Sequence, residues 1–430
     1  MSGADLLRAI AARNRAGEAC GIAAWCTAHP QTLRAVLRAH HGSDDPILIE
    51  ATCNQVNQDG GYTGMNPAGF RAFIETLAPE AGIDMRRVIL GGDHLGPNPW
   101  KHLPAAQAMA RARAMVQAYA QAGFEKIHLD ASMACAGDGA LTEAAMAARA
   151  AELCAAAEAA RGGRDIVYVI GTEVPVPGGE TQALDTLAVT RPEAALRTVE
   201  LHRAAFAKRG LASAFTRVIG VVAQPGVDFG NAQVFAFDRT KAADLSAAAQ
   251  GIPDAVFEAH STDYQSEAAL TDLVASHFAI LKVGPALTFA FREAVVAMAA
   301  IEDRLKVANP SHILATIKDV MDTDPRHWRS YVGAGENVAL MQLYGLSDRI
   351  RYYWPDARIA AALETLTANI AAARVPPGLV SQFCGTLLLE GDSASLPERI
   401  FQLKIGAEVA KYRTACGTLS QRERVARSAG

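Results

Sequence analysis

The sequence lacks the features that would mark a membrane protein or a nucleic-acid-binding protein. Its 430 residues contain no run of about 18 uncharged apolar residues, the length that a membrane-spanning helix needs. The 41 Lys and Arg residues are outnumbered by 45 Asp and Glu residues, so the net charge is -4 and no excess of positive charge attracts phosphates. We therefore expect no membrane span and no nucleic-acid partner.

Cysteines are few and show no pattern. There are seven, an odd number, and no two of them form a CxxC pair. Such a set is typical of reduced thiols in the cytoplasm rather than of a disulfide scaffold. Residues 1–15 have an Ala- and Arg-rich helical pattern without a continuous apolar stretch, so we do not expect a secretory signal there. The sequence predicts a cytoplasmic protein.

The residues that are present suit a folded chain with a large core, because half are hydrophobic and a fifth are charged. Eight short apolar or β-branched runs each break into polar or glycine-rich residues, and most are followed by a helical pattern. This alternation predicts an α/β fold, a TIM (β/α)8 barrel. An open nucleotide-binding sheet is disfavoured, because no glycine fingerprint follows the first run. The predicted strands cover residues 21–25, 47–50, 88–90, 126–129, 166–170, 218–222, 255–258 and 278–282.

Beyond the eighth unit, helical patterns recur at residues 311–322, 356–373 and 396–414. No Ser/Gly-rich or charged linker precedes them, so we expect one structural unit rather than a tethered second domain. We predict a barrel over residues 1–310 and a helical extension packed on it over residues 311–430.

Polar residues follow the carboxyl ends of the predicted strands, where TIM barrels build their sites. His94 follows the third run, Glu173 the fifth and His260 the seventh. Two imidazoles and one carboxylate at one barrel mouth match the ligand set of a catalytic divalent metal. The alternatives are a structural turn in which His94 bonds a carbonyl, and an ion pair between Glu173 and Lys282 or an arginine.

Two aspartates beside these residues are candidates for proton transfer. Asp93 precedes His94 and follows the paired glycines Gly91 and Gly92, which would let the backbone approach a ligand closely. Asp130 follows the fourth run, where it either faces a substrate or joins the polar interior.

An amide-dense loop follows the second run. Amides donate and accept hydrogen bonds and so suit sugar hydroxyls, although turn chemistry explains much of the same composition. Gln224 and Lys282, after the sixth run and within the eighth, extend the predicted substrate-binding set. The loop amides are Asn54, Gln55, Asn57 and Gln58.

Charged residues also occur inside the strand runs. Period two places Glu258 on the face of His260, and His128 on the face of Asp130. We interpret Glu50, His128, Glu258 and Lys282 first as an interior network and second as support for the site, because buried charges usually pair. The basic, aromatic residues 349–354 are interpreted as a packed corner, and no site is predicted there.

Three segments resemble the GatZ/KbaZ family, the large accessory subunits of bacterial class II tagatose-bisphosphate aldolases. They are residues 49–65, which include IEATCNQVNQ and GYTGM, residues 91–98 (GGDHLGPN) and residues 347–355 (SDRIRYYWP). The resemblance implies a TIM barrel that supports the activity and stability of a separate catalytic aldolase subunit, in galactitol, tagatose or amino-galactose breakdown. Some relatives are labelled tagatose-6-phosphate kinases, and others are ascribed C4-epimerase activity on ketohexoses.

The family is distantly similar to the catalytic class II aldolases as well. That likeness implies proton transfer by Asp93 and zinc binding by His94 and His260. Where an aldolase places a third metal histidine, after the sixth strand, this chain has Gln224. Either Glu173 completes the metal set or the site is degenerate. The glycine- and serine-rich phosphate cradle expected after strands seven and eight is not evident in residues 260–265 or 282–288.

Three functions remain as hypotheses. The first is the accessory subunit, with a catalytic aldolase as its partner and a sugar or sugar phosphate as its ligand. The second is a metal-dependent C4-epimerase, in which retro-aldol cleavage, rotation and re-addition invert C4 while Asp93 and Asp130 move protons. The third and weakest is a tagatose-6-phosphate kinase, because no GxxxxGK[ST] loop occurs. Whether the chain is catalytic alone stays open.

Overall fold

A computed structural model describes residues 2–172, 187–333, 335–388 and 394–417. Eight parallel strands close into a barrel in sequential order, with the eighth beside the first. Every predicted strand run corresponds to one of them, so the predicted TIM barrel is confirmed. The strands are β1 (Ile22–Cys26), β2 (Ile47–Thr52), β3 (Val88–Leu95), β4 (Lys126–Leu129), β5 (Val167–Ile170), β6 (Val218–Val222), β7 (Val256–Ala259) and β8 (Phe278–Val283).

Helices surround the barrel and continue into the extension. A short antiparallel hairpin, Asp228–Phe229 with Val234–Phe235, follows β6. The α-helices of the described residues are α1 (Gly3–Arg15), α2 (Pro30–Ala39), α3 (Pro67–Glu80), α4 (Ala105–Gln121), α5 (Glu143–Ala160), α6 (Pro192–Lys208), α7 (Ala212–Phe215), α8 (Ala243–Ala248), α9 (Glu267–Ala275), α10 (Pro285–Leu305), α11 (Ile313–Thr323), α12 (Val338–Tyr344), α13 (Ala357–Ala372), α14 (Pro377–Cys384) and α15 (Leu396–Ala415). Short 3-10 turns occur at Gly61–Thr63, Met85–Arg87, Asn98–Trp100, Ala249–Gly251, Pro325–His327, Arg329–Tyr331 and Arg349–Tyr352.

Local sequence sets several helix starts. Ser2, Thr142 and Ser266 precede α1, α5 and α9, and each side-chain oxygen accepts a hydrogen bond from the backbone N–H three residues further on. Such caps satisfy N–H groups that have no partner inside the helix. The caps therefore fix the residues at which these three helices begin, and so the residues at which the preceding segments end.

Helix α1 closes the amino-terminal end of the barrel. Its buried residues Ala4, Leu7 and Ala11 form one apolar cluster with strand residues such as Leu48 and Ile280. At this end the barrel interior is filled by apolar side chains. A charged group there would have no water to solvate it. Asp93, His94 and Lys282 lie in the carboxyl-terminal halves of their strands and line a cavity at the opposite mouth.

Helix α15 holds the extension against the barrel. It packs against α2, α9 and α10, and the Tyr412 hydroxyl donates a hydrogen bond to the carbonyl of Thr262, 2.8 Å away, just after β7. The ring of Tyr412 also lies edge-on to Trp25 of β1, with centroids 5.6 Å apart. The predicted division at residue 310 stays a prediction.

Two sequence predictions about the chain as a whole can be compared with the structure. All seven cysteines are unpaired and buried. None of the helices within the described residues is both long and apolar enough to span a membrane. The cytoplasmic location stays a prediction.

Candidate functional site

A bulge near the end of β3 builds the centre of the barrel mouth. The pairing of β3 with β4 shifts between Gly92 and Leu95, and His94 has a left-handed φ of 50°. Neighbouring residues of a regular strand point to opposite faces, whereas a bulge re-aims one of them. Asp93 and His94 therefore both line the same cavity at the mouth.

The glycines around this bulge serve close packing. A Cβ at Gly91 would lie 2.7 Å from the Glu50 side chain in the barrel interior, and a Cβ at Gly96 would lie 1.5 Å from the carbonyl oxygen of Asp130. Gly92 is likewise confined by side chains, those of Leu95 and Tyr119. We expected Gly91 and Gly92 to make room for a ligand. This expectation is wrong, because the space beside them is filled by side chains of the barrel itself.

Three imidazoles meet beside Asp93. The ring centroid of His94 lies 4.8 Å from that of His260 and 5.2 Å from that of His128, and the last two are 5.1 Å apart. His94 and His260 were predicted to converge. From the likeness to aldolases, a third histidine was expected after β6, where this chain has Gln224. The third imidazole of the cluster comes instead from His128 on β4.

Two buried lysines tie the carboxylates of the interior together. The Lys126 ammonium lies 2.7 Å from Glu50 Oε1 and 2.7 Å from Glu258 Oε2. The Lys282 ammonium pairs with Glu50 and lies 2.9 Å from Asp93 Oδ1. The predicted interior network is confirmed, and Lys126 is a member that sequence reasoning missed.

This cluster fits a divalent cation. Asp93, His128, Glu258 and His260 each offer a ligand atom, and these atoms lie within 4.8 Å of one another. His128 Nδ1 lies 3.1 Å from Asp93 Oδ1, while its Nε2 is buried without a hydrogen-bond partner. A metal ion would satisfy that nitrogen, and imidazole held by a carboxylate is a common metal ligand.

The balance of buried charges also favours a bound cation. Four buried carboxylates face two buried ammonium groups, which leaves two negative charges to be compensated by a cation or by protonated imidazole. The carboxylates belong to Glu50, Asp93, Asp130 and Glu258, and the ammonium groups to Lys126 and Lys282.

The imidazoles respond to this charge in different ways. Burial alone would lower the pKa of His94, but the Asp93 charge and the hydrogen bond with Asp130 raise it to about 9. Burial lowers the pKa of His260, although Glu258 opposes the effect. Burial would raise the pKa of Asp93, but the charge of His94 and the bond to His128 hold it well below its usual range. Without a metal ion, a protonated His94 would offset one of the two negative charges.

The structure changes the assignment of Asp130. Its Oδ2 lies 2.8 Å from His94 Nδ1, and its Oδ1 accepts hydrogen bonds from the N–H and hydroxyl of Ser132 at 3.0 and 2.6 Å. Asp130 does not line the mouth cavity. Asp130 is therefore placed to orient His94, and its predicted role in proton transfer stays a prediction.

The predicted metal set is brought together in part. His94 and His260 line the cavity, and Glu173 lies outside the described residues. The structure adds Glu258, whose Oε1 lies 2.9 Å from His260 Nε2. Strand periodicity had placed Glu258 on the face of His260, which was the available signal for its role.

Three of the predicted sugar-binding residues line the mouth cavity, namely Asn54, Gln55 and Lys282. The Gln55 amide is already engaged, since its oxygen accepts from the N–H of Thr52 at 2.8 Å and its nitrogen donates to the carbonyl of Cys26 at 3.3 Å. Asn54 is half-buried at the cavity. Their binding of a sugar stays a prediction.

The other three predicted amides do not line that cavity and bond to the protein backbone. Asn57 Oδ1 accepts from the N–H groups of Asp59 and Gly61 at 2.9 and 3.1 Å. Gln58 donates to the carbonyl of Arg111 at 3.1 Å. Gln224 Oε1 accepts from the N–H groups of Gly226 and Val227 at 2.8 and 2.9 Å. Turn chemistry explains the bonds of Asn57 and Gln224, and sugar binding by these three amides stays a prediction.

The extension contributes a wall of the site that sequence reasoning missed. The 3-10 turn Arg349–Tyr352 brings Arg351 and Tyr352 to the mouth cavity, next to Tyr62. The rings of Tyr62 and Tyr352 lie 4.6 Å apart. The packed-corner interpretation of residues 349–354 is therefore incomplete. Periodicity gave no signal for this contact, because it joins positions far apart in the chain.

Known proteins match nearly the whole chain. A family model described as D-tagatose-1,6-bisphosphate aldolase subunit GatZ/KbaZ-like covers residues 7–417. The D-tagatose-1,6-bisphosphate aldolase subunit GatZ of Escherichia coli is 47% identical over 421 residues, which are 95% of this chain and 100% of that protein. The subunit of the same name from Shigella flexneri serotype 5b is 46% identical with the same coverage.

A solved structure agrees in fold and sequence. The crystal structure of a probable tagatose 6 phosphate kinase from Sinorhizobium meliloti 1021 has 46% sequence identity and a TM-score of 0.83, and the match covers 92% of this chain and 100% of that one. Similarity of this extent, in sequence and in the whole fold, identifies the lineage. The chain belongs to the GatZ/KbaZ-like family.

Proposed function

We propose that this chain is the large subunit of a tagatose-bisphosphate aldolase and that it supports the activity and stability of a separate catalytic subunit. The observation that carries the proposal is the end-to-end similarity to proteins named as subunits of that enzyme. Its metabolic place would be the breakdown of galactitol, tagatose or amino-galactose.

The loop after β7 favours a supporting role over cleavage of a bisphosphate by this chain alone. Free N–H groups at a helix start after the eighth strand commonly bind phosphate in TIM barrels. Here Asp263 Oδ1 accepts hydrogen bonds from the N–H groups of Gly284 and Ala286 at 3.0 and 2.8 Å, at the start of α10. A buried carboxylate thus takes the place that an anion would need.

Co-expression tests the subunit proposal. A tagged copy of this chain would be expressed with the catalytic subunit of a bacterial tagatose-bisphosphate aldolase and passed over a size-exclusion column. We expect the two chains to elute together and the catalytic subunit to lose activity more slowly than when it is alone. Separate elution with an unchanged rate of activity loss would contradict the proposal.

The polar cluster favours a second candidate function, a metal-dependent C4-epimerase of a ketohexose or its phosphate. A divalent cation, which we propose to be zinc, would be held by Asp93, His128, Glu258 and His260 and would polarise the oxygens of a ketose. Asp93 lines the cavity with its Oδ1 2.9 Å from the Lys282 ammonium, and its carboxylate can accept a proton from a sugar hydroxyl.

Metal binding and epimerisation are tested separately. Elemental analysis of the purified chain should find one divalent metal per chain, and cobalt(II) titration should show at least a roughly tenfold weaker affinity in His128→Ala and His260→Ala. His102→Ala, on an exposed residue, is the matched control. Equal affinities in all variants would exclude this metal centre. Interconversion of tagatose 6-phosphate and fructose 6-phosphate without ATP would support the epimerase, and its absence would leave the subunit role alone.

A further inference from the structure

We propose that Arg351 anchors a phosphate group of the sugar ligand at the barrel mouth. The proposal rests on the subunit function above, because it assumes a tagatose phosphate as the ligand. It assigns the anion a place on the helical extension, away from the ends of β7 and β8.

The shape of the cavity supports this place. Arg351 lines the same cavity as Asp93, His260 and Lys282, so one ligand can contact the polar cluster and the guanidinium together. Arg351 Nη1 is held by the carbonyl of Asp348 at 3.0 Å and by that of Ser347. These bonds fix the guanidinium at the wall of the cavity before any ligand arrives.

The charge of the buried Asp348 acts on Arg351, but no carboxylate of the described residues forms a direct ion pair with it. Within the described residues, neither Arg351 nor Arg349 has a carboxylate oxygen within 4.0 Å, whereas Arg292 lies 3.5 Å from Asp348. The guanidinium carbons of Arg349 and Arg351 lie 4.4 and 4.7 Å from the ring centre of Tyr352. Arg349 is buried, and its Nη1 has no hydrogen-bond partner. Two like charges are thus held near one ring, with no carboxylate of the described residues in direct contact with either of them.

A phosphate monoester suits this arrangement. It carries up to two negative charges and accepts several hydrogen bonds, and the arginine fork binds such groups through two parallel bonds. The hydroxyls of Tyr62 and Tyr352, on the same cavity, are further donors. Lys282 is less suited, because its ammonium is already committed to Glu50 and Asp93.

Calorimetric binding to the full chain tests the anchor. The probes are D-tagatose 1,6-bisphosphate, neutral D-tagatose and inorganic phosphate. We expect Arg351→Gln to weaken bisphosphate binding by about tenfold or more, as expected for the loss of a charge-assisted hydrogen bond, and to leave tagatose binding unchanged. Inorganic phosphate should bind the wild type weakly and the variant not at all. The control Arg86→Gln, on an exposed residue beside Asp84, should match the wild type.

Equal bisphosphate affinity in the wild type and Arg351→Gln would overturn the anchor, and so would the absence of bisphosphate binding to the wild type. Co-elution with the catalytic subunit is measured on the same samples. Co-elution without an effect of the variant would reject the anchor and leave the subunit role intact.

A measurement on the wild type covers the case in which Arg351→Gln does not fold. Burial opposes ionisation of Tyr352, but the charges of Arg349 and Arg351 bring its pKa down to about 8. A phosphate bound to Arg351 would offset those charges, so saturating bisphosphate should raise the pH at which Tyr352 ionises. An unchanged titration in the presence of saturating ligand would overturn the proposal.

Discussion

Lys126 carries the positive charge that lies between two carboxylates in the barrel interior. Lys126→Met would leave Glu258 without its ammonium partner and Glu50 with Lys282 alone. Removing one partner of a buried ion pair costs about 3–5 kcal/mol, so we expect the free energy of unfolding in urea to fall by that amount. Lys208→Met, on an exposed residue, should change it by no more than about 0.5 kcal/mol. Equal effects of the two substitutions would refute the interior network.

Tyr352 offers a pH-dependent test at the residue scale. An ordinary tyrosine ionises near pH 10, whereas the two neighbouring guanidiniums bring the pKa of Tyr352 to about 8 despite its burial. We expect an ultraviolet titration to show one phenol that is mostly neutral at pH 7 and mostly ionised at pH 9. Tyr352→Phe should remove that early transition. Its persistence in the variant would show that another tyrosine produces it.

Single residues were predicted from the sequence only where a strand repeat carried them. Period two placed Glu258 with His260, and both lie in the cluster. The same reasoning did not show that Asp130 would bond to His94 and Ser132, because a hydrogen bond between the end of β3 and the residue after β4 leaves no trace in the local pattern.

At the scale of elements, the ends of β3 and β4 approach so closely that only glycine fits at position 96. A Cβ at Gly96 would overlap the carbonyl oxygen of Asp130 at 1.5 Å. Gly96→Ala should therefore destabilise the fold by about 1–3 kcal/mol and weaken divalent metal binding, since it displaces the bulge that carries Asp93. Thermal unfolding and cobalt(II) titration measure both effects.

Gly378→Ala is the matched control for that substitution. It makes the same chemical change in α14, where an added Cβ would have no atom within 4 Å. We expect unchanged metal affinity and a stability equal to or slightly above that of the wild type, because alanine is the better helix residue. A similar loss in both variants would mean that the close approach at Gly96 does not matter.

The strands were predictable as elements because each is a short buried run bounded by turn residues. The bulge in β3 was not, since residues 91–95 (GGDHL) have the composition of a loop after the run 88–90, whereas the strand continues through them to Leu95. The bonds of the amide loop were not predictable either. Asn57 accepts from N–H groups of its own turn, whereas Gln58 donates to the carbonyl of Arg111 in α4, far along the chain.

For the whole molecule, eight repeats of strand and helix were sufficient to predict the closed barrel, because that count and parallel order leave few other arrangements. The contact of residues 349–352 with the mouth was not predictable, since it depends on how the extension packs.

The rate of D-tagatose 1,6-bisphosphate cleavage by a catalytic subunit, measured with and without this chain, tests the subunit assignment most directly. We expect the purified catalytic subunit to cleave the substrate faster when this chain is present in equal amount, and this chain alone to cleave none. A catalytic subunit whose rate is the same in both samples, or cleavage by this chain on its own, would contradict the account.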